Sequence, residues 1–373
     1  MKKTALTLAV AGFAAGFAAT ADARDLRLAP GAPPAHPAYD PMYLTLQENL
    51  PSETGDALTG TMLGTEVVNI GTMLASLQSQ VAEVGNFLPL YYPATVPSSA
   101  LAGDLAFLGT NPHAMGAAMT EYVVTCEDCL EEFKEAGLVF VGAGSSDVYV
   151  LMTDQPVETP QDMQGLRLRS GGSPFSRWAE SMGAAPASVP VSDQFEQMSQ
   201  GVINGTMASV NDLVSYRMVD LVKYVTEIPL GTYHATSNFT VALPTWQSLS
   251  AEERAGFMRA ANKGNVAFTQ DWGYDRPERA RQEARDAGIE FIEPSQELID
   301  ATEKFTTEDL ATVESMAADT YGIEGAGDKI ARFQELVEKW TAIVDETGGD
   351  LDALAQRQQE EIWDKVDPEA YGL

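Results

Sequence analysis

The stretch from Gly165 to Tyr224 constrains this chain more than any other; it reads GLRLRSGGSPFSRWAESMGAAPASVPVSDQFEQMSQGVINGTMASVNDLVSYRMVDLVKY. It opens on Leu166-Arg167-Leu168-Arg169, an alternation that predicts a short strand with both leucines on one face and both arginines on the other. The loop Ser170-Gly171-Gly172-Ser173-Pro174 follows, then a helix over 175–182. A cation at the carboxyl end of a strand, opening into a glycine-rich loop, sits where open α/β sheets bind ligands. A guanidinium stays charged and grips a carboxylate with two parallel hydrogen bonds. Arg169 is therefore the leading candidate for an anion clamp, weighed against the plainer reading of a surface ion pair. Farther on, Ser192 is placed to cap a helix carrying Phe195, Met198 and Val202. Asn204-Gly205 predicts a turn. Leu213, Val214, Met218, Leu221, Val222 and Val225 then predict a second helix with one apolar stripe.

These residues resemble the periplasmic substrate-binding proteins of TRAP transporters, of the dicarboxylate-binding type. The family pattern runs G-L-[KR]-x-R, a Gly/Ser/Pro loop, a small-residue turn ending in Pro, then [ST]-[ED]-x-[YF]-x-x-[LM]-x-x-G-V-[VI]-[DN]-G. Here these are Gly165 to Arg169, Met182-Gly183-Ala184-Ala185-Pro186, and Ser192 to Gly205, closed by Lys223 to Thr226. The resemblance implies an α/β, two-lobed periplasmic binding protein fold with hinge strands and a long helix spanning both lobes. It places residues 24–147, 234–256 and 318–373 in lobe 1, and 148–233 with 257–317 in lobe 2.

Two departures from that family bear on the ligand. The family carries a second carboxylate-binding arginine where this chain has Val148 or Tyr149, and Ala208 replaces an Asn that contacts ligand. A dicarboxylate held at both ends by arginines is thereby disfavoured against a monocarboxylate, hydroxy acid, aromatic acid or non-acidic solute. Tyr149 offers a hydroxyl or a stacking face in place of the arginine. The resemblance also marks as candidate contacts His36 in the first strand–loop, Asn86 and Phe87 after the strand 81–84, and Ser173 in the glycine loop. Thr206, Met207 and Asn211 follow the Asn-Gly turn, and Asn238 lies where the chain recrosses between lobes. For His36 a solvated or structural role competes, and for Phe87 core packing does.

Residues 1–23 read as a secretory signal: Lys2 and Lys3, an apolar run from Ala5 to Ala19, and Ala21-Asp22-Ala23 as a cleavage site. That run is short for a spanning helix, so export to the periplasm as a soluble, monomeric chain is the expectation, with an uncleaved anchor as the alternative. Asp and Glu number 54 against 23 Lys and Arg, a net charge of −31 that becomes −32 once Lys2, Lys3 and Asp22 are removed. Such a surface repels nucleic acid and anionic lipid, and anion capture must rest on local donors. The mature length of about 350 residues suits two domains.

The only cysteines form Cys126-Glu127-Asp128-Cys129. In an exported chain this spacing points to a local disulfide; a thioredoxin-like redox motif lacks its surrounding pattern, and zinc lacks ligands, since only three histidines exist. Ser250-Ala251-Glu252-Glu253 is a capping box that starts a long helix towards Ala287, with a kink expected at Pro277. Helices are expected at 296–317 with an interruption, at 326–347 and at 351–366. Trp246 reads as structural. No nucleophile elbow, zinc-protease, phosphate-loop or dinucleotide motif is present, so an enzyme is disfavoured. The implied function is capture of a small organic acid for ion-coupled uptake through the membrane subunits of a TRAP transporter, with no cofactor and no metal. A sensor input protein, or a binding protein for an amine or other non-dicarboxylate solute, is the alternative.

Overall fold

Short apolar strands bounded by glycine and proline turns build two separate sheets in the computed structural model, which describes residues 23–373. The expected secretory signal, residues 1–23, lies outside the described residues apart from Ala23. Among those described, no helix is long and apolar enough to cross a membrane.

The first sheet contains β1 (Arg24–Ala29), β2 (Leu58–Met62), β3 (Val84–Phe87), β4 (Leu138–Val139) and β10 (Ser237–Ala242), in the order β2-β1-β3-β10-β4. Its first three strands are parallel and β10 runs antiparallel between β3 and β4. The second sheet contains β5 (Val150–Thr153), β6 (Arg167–Ser170), β7 (Ala185–Ser188), β8 (Gly205–Ala208), β9 (Tyr224–Thr226) and β11 (Glu290–Ile292), in the order β11-β9-β5-β8-β6-β7. Every residue of β3, β5, β8 and β10 is buried, as expected for strands covered on both faces. Each sheet organises one lobe.

Three segments cross between the lobes. Residues 140–149 and 230–238 run side by side: Ser146 N–H donates to the Tyr233 carbonyl (3.1 Å), and Tyr149 N–H to that of Gly231 (2.8 Å). The third is the helix Ala251–Gln270, started by the reciprocal bonds of Ser250 and Glu253. It continues through a widened turn, Asp271–Asp275, into the helix Arg276–Asp286. Pro277 lies just past the widened turn; it has no N–H to bond back into it, so the irregularity falls before the proline. The first half packs on Leu44–Thr54 of the first lobe, the second on Asp212–Ser215 of the second. The C-terminal helix Ala326–Thr347 packs on Pro112–Thr125, and Trp246 donates to the Tyr371 carbonyl (2.7 Å).

Several local expectations are corrected. The stripe from Leu213 to Val225 is not one helix: the helix ends at Ser215, Arg217 sits at φ 58°, and Tyr224–Thr226 is β9. A left-handed residue breaks the helical repeat, and Val225 is claimed by pairing with Met152 and Phe291 in the sheet. Ser192 caps no helix; its hydroxyl donates to Asp193 (3.0 Å), and the helix starts at Gln194. The strand expected over 81–84 instead spans Val84–Phe87, so Asn86 and Phe87 are strand residues. The helix Gln296–Asp319 is uninterrupted.

Candidate functional site

Parallel neighbours on both sides hold β6 in place, with Arg169 in register between Ala187 and Thr206. Arg167 on the same strand is exposed, whereas Arg169 is 2 % exposed. The strand runs towards the junction of the lobes, and its carboxyl end is covered there. Arg169 Nε donates to the Val189 carbonyl (2.9 Å) and Nη2 to the Tyr91 hydroxyl (2.7 Å). Among the described residues it forms no ion pair, and Nη1 has no hydrogen-bond partner. A guanidinium carries five N–H donors in a planar fork, so Nη1 keeps donors that no protein group takes up.

Arg169 faces a cavity of about 40 Å³ between the lobes, tighter than the sites that hold small organic molecules. The first lobe contributes Ala32, His36, Ile70, Asn86, Leu88 and Tyr91; the second contributes Arg169, Val191, Asp212 and Tyr216. Tyr149, Tyr233 and Thr236 come from the crossing segments, and Phe268 and Trp272 from the long helix. The walls are largely aromatic: Tyr149 stacks on Tyr233 (ring centroids 5.7 Å apart) and Phe268 on Trp272 (4.9 Å), while His36 lies 5.6 Å from Trp272.

Polar groups point into this apolar frame. Backbone N–H of Ala38 donates to His36 Nδ1 (3.0 Å). Burial, with the charge of Arg276, lowers the His36 pKa to about 3. The imidazole is therefore neutral at ordinary pH, and its proton sits on Nε2 as a donor. The Tyr233 hydroxyl, Trp272 Nε1 and Asn86 Oδ1 are buried without a hydrogen-bond partner, an arrangement that costs stability unless a ligand or water completes it. Asp212 is 3 % exposed; Gln194 Nε2 donates to its Oδ2 (3.3 Å). Burial raises its pKa to about 6 against the opposing pull of Arg169.

Tyr91 joins the lobes. Its hydroxyl oxygen accepts from Arg169 and from the backbone N–H of Val191 (3.1 Å), both on the second lobe. Its own proton then remains to donate. A larger, more open groove of about 600 Å³ adjoins the cavity and shares Tyr91 with it.

Of the sequence-predicted site residues, His36, Asn86, Tyr149 and Arg169 line the cavity together. Phe87 does not: it is fully buried against Tyr92 and Phe133. Ser173 lines the adjoining groove, where its hydroxyl donates to Asp104. Thr206 stands behind the cavity, donating to Gln194 Oε1 (3.2 Å) and so supporting Asp212 indirectly. Met207 is core. Asn211 donates to Ser215 Oγ (2.6 Å), and Asn238 to Asn265 Oδ1 (2.7 Å); neither lines the cavity. Cys126 and Cys129 are disulfide-bonded away from it, Cys126 capping the helix Glu127–Glu135.

Sequence reasoning missed Tyr91, Asp212, Tyr216, Tyr233, Phe268 and Trp272. Two signals were available. Asp212 and Tyr216 are four residues apart, as are Phe268 and Trp272, the spacing that puts two side chains on one face of a helical turn.

Residues 64–316 match the family model described as bacterial extracellular solute-binding protein, family 7. A C4-dicarboxylate-binding periplasmic protein of Rhodobacter capsulatus is 22 % identical over 182 residues, 48 % of this chain and 53 % of that one. A solute-binding protein of Chromohalobacter salexigens is 24 % identical over 173 residues, 44 % of this chain and 48 % of that one. The chain thus spans about half or less of the length of the curated relatives it matches. Among solved structures, a TRAP periplasmic solute-binding protein of Bordetella bronchiseptica with bound mandelate has a TM-score of 0.73 at 21 % identity, over 85 % of this chain and 99 % of that one. One of Rhodoferax ferrireducens with copurified benzoate has a TM-score of 0.74 at 18 % identity, over 86 % and 99 %. A Bordetella pertussis extracytoplasmic solute receptor binding pyroglutamic acid has a TM-score of 0.70 at 16 % identity, over 84 % and 100 %.

Proposed function

Because this chain belongs to the bacterial extracellular solute-binding proteins of family 7, we propose that it captures one small organic acid between its lobes and hands it, in the periplasm, to the membrane subunits of a TRAP transporter. The observation that carries this reading is Arg169, buried at a cavity built by both lobes with Nη1 free of protein partners. The mandelate, benzoate and pyroglutamic acid named for three solved neighbours each have one carboxyl group on a ring-bearing frame. One arginine between aromatic walls suits that shape, and Tyr149 in the place of a second arginine argues against a dicarboxylate.

The reading makes residues 24–147, 234–256 and 318–373 one lobe and 148–233 with 257–317 the other, except that 257–270, packed on Leu44–Thr54, go with the first, and the lobes hinge at the paired crossings 140–149 and 230–238. Ligand enters between open lobes, its carboxylate meets Arg169, and closure follows because contacts from both lobes form only in the closed state. The membrane subunits then recognise that closed state. The chemistry asked of the chain is binding and release.

A thermal-shift screen of the protein against monocarboxylates, hydroxy acids, amino acids, dicarboxylates and amines tests this. Ligand that binds the native state alone raises Tm by mass action. The expected result is a shift with monocarboxylates, lost in Arg169→Ala. A shift with amines alone, or carboxylate binding unchanged in Arg169→Ala, overturns the reading. Mass spectrometry of denatured protein identifies any copurified acid that masks the shift.

A further inference from the structure

The cavity holds one cation and one anion that do not neutralise each other. Arg169 spends Nε and Nη2 on Val189 and Tyr91, and Asp212 receives a single bond, from Gln194 to Oδ2. Among the described residues no ion pair joins the two side chains, although both line the same cavity. A buried carboxylate of purely structural use is expected to be paired or fully hydrogen-bonded. Asp212 keeps Oδ1 free of protein donors instead. Gln194 is itself fully buried and its Oε1 accepts from Thr206, so the amide is oriented to donate to Asp212 and holds that carboxylate in place.

The other polar groups around the cavity are chiefly donors: Arg169 Nη1, His36 Nε2–H, the unpartnered Trp272 Nε1–H and the Tyr233 hydroxyl. These suit a ligand rich in acceptors, which a carboxylate is. Asp212 offers the opposite: a free acidic acceptor that repels a second carboxylate and rewards a donor. From this juxtaposition, and resting on the organic-acid reading above, we infer that the ligand carries a hydrogen-bond donor, a hydroxyl or an ammonium, beside its single carboxylate, and that Asp212 selects for it.

The test is a matched series on two carbon frames, measured by isothermal titration: phenylacetate, mandelate and phenylglycine, and propionate, lactate and alanine. On any frame that binds, the acid bearing a hydroxyl or ammonium binds about 10-fold or more tighter than its donor-free parent, the worth of one charge-assisted hydrogen bond. Asp212→Asn keeps the acceptor for Gln194 and the side-chain shape but turns a donor towards the ligand, so the preference collapses to within about threefold. Circular dichroism and Tm confirm that the variant is folded. An advantage confined to the ammonium acids identifies a zwitterion, and one confined to the hydroxyl acids a hydroxy acid; both support the inference. Equal binding of donor-free and donor-bearing acids, or a preference that survives Asp212→Asn, overturns it while leaving organic-acid capture intact. No binding by any acid of the series or of the wider carboxylate screen overturns both.

Discussion

Tyr91→Phe removes one oxygen and, with it, two bonds that tie the lobes together. Arg169 Nη2 donates to that oxygen at 2.7 Å and Val191 N–H at 3.1 Å. The first involves a charged donor and is worth about 1.5–3 kcal/mol; the second is an ordinary hydrogen bond of about 0.5–1.5 kcal/mol. In open lobes both donors face water in either protein, so the loss falls on the closed form alone. The closed form is thereby weakened by about 2–4.5 kcal/mol. Affinity is coupled to closure, and each 1.4 kcal/mol is about tenfold, so the acid giving the largest thermal shift should bind about 30-fold to about 1,600-fold more weakly. Titration calorimetry measures that ratio, and small-angle scattering with saturating ligand measures whether the lobes still close. The phenylalanine ring keeps the apolar packing, so ligand-free Tm should change little. Affinity within threefold of wild type, with the fold intact, would refute Tyr91 as a link between Arg169 and closure.

Other perturbations bear on the same picture. Asp147, at the first crossing, has its pKa raised to about 7 by burial, against the opposing effect of Ser209 and Arg281. The native state keeps its proton between pH 4 and 7 while the unfolded chain has released it, so this group's contribution to stability falls as pH rises through that window. Asp147→Asn should remove that decline, on the order of 4 kcal/mol at about 1.4 kcal/mol per unit of pKa. Comparing urea unfolding of the two proteins at pH 5 and pH 8 reads the part of it between pH 5 and 7, about 3 kcal/mol, and parallel pH profiles would count against it. His36 and His234, whose pKa values burial lowers to about 3 and about 4, act in the opposite sense: both are neutral when folded, and their contribution is lost as pH falls below 6.5. They are common to both proteins and cancel in the comparison. Replacing Cys126 and Cys129 together by Ser opens a four-residue loop, a loss of about 2 kcal/mol on the chain-entropy estimate. Because the disulfide lies away from the cavity, ligand affinity should hold; a changed affinity in a folded variant would show that the helix it caps shapes the site. Arg169→Ala and Asp212→Asn, described above, separate carboxylate capture from the choice among carboxylates.

The residues that sequence reasoning placed correctly share a property: their environment is set by a few neighbours in the chain. Alternation in β6 put Arg169 opposite Leu168, and the glycine loop behind it marked the strand's carboxyl end. The Ser250–Glu253 box fixed a helix start through reciprocal local bonds. The Cys126–Cys129 pairing spans a single turn. Where a local pattern competed with a distant partner, the pattern failed. The apolar stripe over 213–225 reads as a helix until β5 and β11 claim Val225 from either side. Met207 and Thr206 sit in the right segment, yet β8 is a central strand, buried throughout, so one goes to the core and the other to Gln194.

The chain's own sequence thus determined the class of fold, the family pattern and the cation placed at the interlobe cavity, because strand alternation, turn chemistry and capping act over a few residues. The tertiary structure alone decided what surrounds that cation. Tyr91, Asp212, Tyr233 and Trp272 come from four segments separated by up to 181 positions, and they meet only because two sheets and a helix crossing between them bring those segments to one cavity. Side-chain convergence across that distance is set by packing of whole elements: the four-residue spacings put Asp212 with Tyr216 and Phe268 with Trp272 on one face each, but nothing local says that those faces meet.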